Sequence, residues 1–85
     1  MGRRPPAFAR KRRAARLNEL PAREGEVLAL MAGGRSNSAI AGRLRISKGA
    51  VEKHISSIFG TLGLEATDNT QKRRVVAVLS YLERS

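Results

Sequence analysis

Between residues 51 and 62 the apolar residues Val51, Ile55, Ile58 and Leu62 recur at intervals of four, three and four. At about 100° per residue these positions stay within one narrow stripe, which predicts an amphipathic helix. Gly49, Lys53, Ser56 and Gly60 fall on the opposite face, with Glu52 on its shoulder. A shorter stripe of Ile40, Ala41 and Leu44 precedes it and predicts a helix over about 37–44. Ser36 is placed to cap that helix, and Ser47 the longer one at about 48–62. Arg45-Ile46 makes the tight turn between them, with Ile46 pointing into the core, and Gly63 supplies a C-terminal stop.

The flanking segments read as two further helices. Pro21 suits a helix entry, and residues 22–32 follow with Val27, Leu28 and Met31 on one side. Glu24 and Glu26 lie in the first turns, where the positive end of the helix dipole favours them. Gly25 weakens this helix, and Gly33-Gly34 ends it. After a polar loop at 65–70, Asp68 or Thr70 caps a last helix over about 71–83. Its pattern predicts Val75, Val78, Leu79 and Leu82 inward, leaving Val76, Ala77 and Tyr81 as a small outer surface. No segment shows strand-like alternation or an internal repeat. The expectation is an all-α fold of four helices over 17–85, preceded by a basic arm or linker at 1–16 without fixed structure, in which Ala7 to Leu17 could form a basic helix on a polyanion.

Charge sharpens this picture. The 85 residues carry a net charge of +10, and the excess is uneven. Residues 1–16 hold seven Lys or Arg and no acid, whereas 17–85 hold ten against seven acids. A basic arm joined to a two-helix unit that projects a small-residue face points to nucleic acid. Cysteine is absent and His54 is the only histidine, which excludes disulfides, Cys-based zinc sites and most histidine constellations. No nucleophile–base pair, acid pair or metal set stands in a plausible arrangement, so an enzyme is not expected, nor a cofactor, metal or small-molecule ligand. No run approaches the ~20 apolar residues of a membrane span. The start lacks the apolar core of a secretory signal, and Pro5-Pro6 spoils the helix of a transit peptide. A cytoplasmic protein acting at the bacterial nucleoid is the expectation.

The order of motifs resembles the DNA-binding domain of LuxR-type transcription regulators, also found in response regulators of the NarL/FixJ type. The matching residues are Leu20, Arg23-Glu24-x-Glu26-Val27-Leu28, Gly34-x-Ser36-Asn37-x-x-Ile40-Ala41 and Leu44-x-Ile46-Ser47. They continue with Val51-x-x-His54-Ile55-x-x-Ile58 and Leu62-Gly63-Leu64. The resemblance implies a tetrahelical helix-turn-helix domain whose third helix enters the major groove and whose fourth mediates dimerisation. Carried over by position, the groove-facing residues are Glu52, Lys53 and Ser56, in agreement with the helix wheel. Lys53 suits guanine O6 or N7, Glu52 suits cytosine N4, and Ser56 either. Ser36, Asn37, Ser47, Lys48, Gly49 and His54 are candidates for the DNA backbone, which positions without specifying. His54 sits near the edge of the apolar stripe and reads more readily as a packed imidazole with a local hydrogen bond than as a phosphate contact.

Departures from the family pattern remove backbone-binding groups rather than core positions. Ala50 stands where members often carry Thr, and Ser38 and Thr61 where they often carry Lys. Ala39 replaces the capping-box Glu of the second helix, and Pro21 the Thr before the first. No receiver or ligand-binding domain precedes the motif in these residues. The partners expected are double-stranded DNA and a weak homodimer assembled through Val76, Ala77 and Tyr81. Two alternatives remain: an adaptor that binds RNA polymerase or another part of the transcription machinery, and an RNA-binding protein acting through the arm. The scarcity of stacking aromatics, only Phe8, Phe59 and Tyr81, weighs against RNA.

Overall fold

A computed structural model describes residues 12–13, 15–64 and 69–84. Among the described residues a helical stretch at 12–13 and 15–17 is followed by four helices in order: α1 (Ala22–Ala32), α2 (Asn37–Leu44), α3 (Lys48–Thr61) and α4 (Thr70–Leu82). Among the described residues the regular structure is helical throughout. Helix α1 packs against both α3 and α4, and α2 packs against α3.

Capping explains where the helices begin. The Ser36 hydroxyl accepts from the Ala39 amide at 3.1 Å and the Ser47 hydroxyl from the Ala50 amide at 3.0 Å. Each satisfies one of the donors that a helix start leaves open. Pro21 has no such side chain, and α1 starts without a side-chain cap. Helix α4 is capped by Asn69, whose Oδ1 accepts from the Lys72 amide at 2.8 Å. The sequence offered Asp68 or Thr70 instead. Asp68, with the loop at 65–68, lies outside the described residues, and Thr70 is already helical. Helix ends are marked by positive φ at Gly34 and Gly63, where lack of a Cβ removes the steric cost. The α2–α3 turn uses Arg45 at φ 57° instead, and the Ile46 amide donates back to the Ala41 carbonyl. This fold-back seats Ile46 against the core.

Val27, Leu28, Ile40, Val51 and Ile58 are fully buried at the centre. Ile55 and Leu62 join them, as the α3 stripe requires, and so do Phe59 and Leu64, which that stripe did not include. Leu17 and Leu20 pack on this core from the N-terminal side. Residues 12–13 and 15–17 are helical, so helical backbone begins within the stretch read as an unstructured arm. The Arg16 guanidinium lies over Gly63, where an added Cβ would come within 2.7 Å of Nη1. Residues 1–11 and 14 of that arm lie outside the described residues.

The largest correction concerns α4. Ala77 is fully buried and Ser80 nearly so, while Val76, Val78 and Tyr81 are half-buried against the core. Val75, Leu79 and Leu82 are exposed at 48%, 49% and 58%. Of the four residues expected inward, only Val78 packs on the core, and the expected outer trio of Val76, Ala77 and Tyr81 faces it. From Val75 to Leu79 every residue is apolar, so two overlapping stripes satisfy helical spacing. The bulkier stripe wins on hydrophobicity alone. The inward stripe instead places the small Ala77 and Ser80 where helices meet, and the Ser80 hydroxyl is satisfied by the Val76 carbonyl at 2.8 Å.

Candidate nucleic-acid interface

Helix α3 divides cleanly between a buried and an open face. Val51, Ile55, Ile58 and Phe59 anchor it to the core, while Lys48, Gly49, Glu52, Lys53 and Ser56 are exposed. The side chains of Lys48, Glu52, Lys53 and Ser56 project from one helix seated in the core. Glu52 and Lys53 offer an acceptor and a donor side by side, and Ser56 offers both. Ser47 accepts from the Ala50 amide, which leaves its hydroxyl hydrogen free to donate outward, and Ser36 does the same at the start of α2.

Internal packing does not require glycine at 49: an added Cβ would meet only the Ser47 hydroxyl, at 3.9 Å. Gly49→Ala is therefore expected to raise stability by about 0.5 kcal/mol, through helix propensity alone. If α3 approaches a groove closely, the same methyl weakens duplex binding. Thermal melts and duplex titrations on one variant check both signs, and a gain in both would show that no close approach occurs at 49.

Two expected residues have partners inside the domain. His54 is turned toward α1, with Nδ1 3.8 Å from Oε2 of Glu24. This geometry supports the packed imidazole over a phosphate contact. Glu24 is 8% exposed, and its Oε1 has no hydrogen-bond partner among the described residues. A reading confined to one helix saw only a first-turn carboxylate suited to the dipole. Its packing beside α3 has no local signal. Asn37, at the start of α2, accepts through Oδ1 from Arg74 Nη1 of α4 at 2.8 Å, and the Arg35 carbonyl accepts from Nη2 at 3.0 Å. The same cleft is lined by Ser36, Thr70 and Gln71. This cross-link over 37 positions was also invisible to periodicity.

The family model for bacterial regulatory proteins of the luxR family matches residues 18–79. That span covers all of α1 to α3 and most of α4. The chain belongs to the LuxR family. No curated protein and no solved structure matches it. As a LuxR-type helix-turn-helix domain it is a DNA-binding transcription regulator, and the family is one of regulators rather than enzymes. The described residues hold no cluster of three or more His, Cys, Asp or Glu able to bind a metal, and no helix long and apolar enough to cross a membrane.

Proposed function

We propose that this LuxR-type domain reads duplex DNA sequence by inserting α3 into the major groove, with Glu52, Lys53 and Ser56 facing base edges. The observation that carries this reading is the exposed polar face of α3 on a helix whose other side is fixed in the core. A recognition helix needs both properties, because base contacts are short and directional. Ser36, Asn37, Ser47, Lys48 and Gly49, at the starts of α2 and α3, serve the phosphate backbone. His54, turned to Glu24, is left out of that set.

Dimerisation through α4 runs through Val75, Leu79 and Leu82, spaced four and three apart on its solvent side. Three side chains make a patch far below the ~1,200 Å² of a standard stable interface, so the free protein is monomeric at micromolar concentration. Half-sites about one DNA turn apart raise the effective concentration of the patch and complete the dimer.

The arm supplies affinity without sequence choice. Residues 1–11 carry Arg3, Arg4, Arg10 and Lys11, and each phosphate neutralised steepens the salt dependence by about 0.9. Deleting 1–11 keeps Arg16 and Leu17, which pack on the domain. The truncated protein is expected to show a shallower slope of log K against log salt, with the same sequence selected from random duplex DNA. A changed preference would make the arm a groove reader. Failure of the intact chain to prefer any duplex, under low salt, would sink the whole reading.

A further inference from the structure

We propose that Arg74 is a positioning residue that presents the Asn37 amide to a DNA phosphate, a role that rests on the duplex reading above. Arg74 reaches from α4 to the start of α2 and spends both terminal nitrogens there, Nη1 on Asn37 Oδ1 and Nη2 on the Arg35 carbonyl. A guanidinium has only donors, so the amide must turn its oxygen inward. Its Nδ2 then keeps two hydrogens for an outside acceptor. Without Arg74 the amide can rotate by half a turn and offer an oxygen, which repels phosphate.

The same fork removes a second acceptor. The Arg35 carbonyl, next to the Ser36 cap, is taken up by Nη2. The groups left open beside Asn37, in a cleft that Thr70 and Gln71 also line, then include two donors: the Asn37 NH2 and the hydroxyl hydrogen of Ser36, whose oxygen is held by the Ala39 amide. Lysine cannot replace this arrangement, because a single ammonium does not span two acceptors in fixed fork geometry. Arg74 thus acts through Asn37. Its two terminal nitrogens already donate within the domain.

A double-mutant cycle tests this on the full chain, with one duplex, several salt concentrations and a thermal melt of each variant. Asn37→Ala and Arg74→Met are each expected to weaken binding about tenfold, the scale of one hydrogen bond to a charged group. The double variant is expected to lose no more than either single one, the mark of residues acting as a unit. Arg74→Met is expected to leave the salt slope unchanged, and Arg74→Lys to bind as weakly as Arg74→Met. Additive losses, full affinity in Arg74→Lys, or a slope lower by about one in Arg74→Met would overturn the proposal, since Arg74 would then meet DNA itself. If Arg74→Met fails to fold, the wild-type protein decides: the Asn37 side-chain amide signals in a nitrogen–proton spectrum must shift when duplex is added, and no shift overturns it. A wild type that binds no duplex at all overturns the duplex reading and this proposal together, whereas failure of the cycle alone leaves the duplex reading standing.

Discussion

Ala77→Asp is expected to destabilise the domain by more than ~3 kcal/mol, and Leu79→Asp to leave its stability nearly unchanged while abolishing cooperative binding to a duplex with two half-sites. The two positions are two residues apart on α4 and differ in what surrounds them. Ala77 is fully buried, so a carboxylate there loses its water and gains no partner. Such a charge costs more than ~3 kcal/mol, against a total of roughly 4–13 kcal/mol for a domain of this size. Leu79 is half exposed, and a surface substitution of this kind changes stability by only about 0.5 kcal/mol. Circular dichroism melts separate the two variants directly. Titration of duplexes carrying one and two half-sites then shows where Leu79→Asp acts: affinity for a single half-site is retained while cooperativity is lost. An Ala77→Asp protein that melts like the wild type would mean that α4 packs through its other stripe. Unchanged cooperativity in Leu79→Asp, or a tight dimer by sedimentation without DNA, would remove α4 from the proposed dimer.

Lys53→Ala is expected to weaken binding to the preferred duplex by ~1–3 kcal/mol and to relax selection at one base position. Lys53 stands exposed on the outer face of α3, between Gly49 and Ser56, whose small side chains leave room for close approach. The backbone beneath it is held by Val51 and Ile55, so truncating an exposed side chain leaves the helix in place. The loss is therefore one of contact, and it depends on the base opposite. Selection from random duplexes with wild type and variant measures that dependence. An equal loss on every sequence would make Lys53 a phosphate contact and transfer readout to Glu52 and Ser56.

The sequence by itself determined what depends on neighbours along the chain. The bounds of α1 and α2, the caps at Ser36 and Ser47, and the stop at Gly63 all follow from hydrogen bonds and φ preferences within a few residues. The buried stripe of α3 was equally legible, because its opposite face is small and polar and leaves one way to turn the helix. The placement of Lys53 and Ser56 in the open came with it. Helix α4 has apolar residues on two faces, so its period alone admits two orientations, and only packing against α1 and the core selected the one that buries Ala77 and exposes Leu79. The same limit hid the meeting of Glu24 with His54 and of Arg74 with Asn37. These pairs join residues 30 and 37 positions apart, and their chemistry leaves no periodic trace. Spacing along a helix fixes which residues share a face. Which face meets which is settled only when the helices pack, because that choice depends on the shape and size of side chains that the chain brings together from far apart.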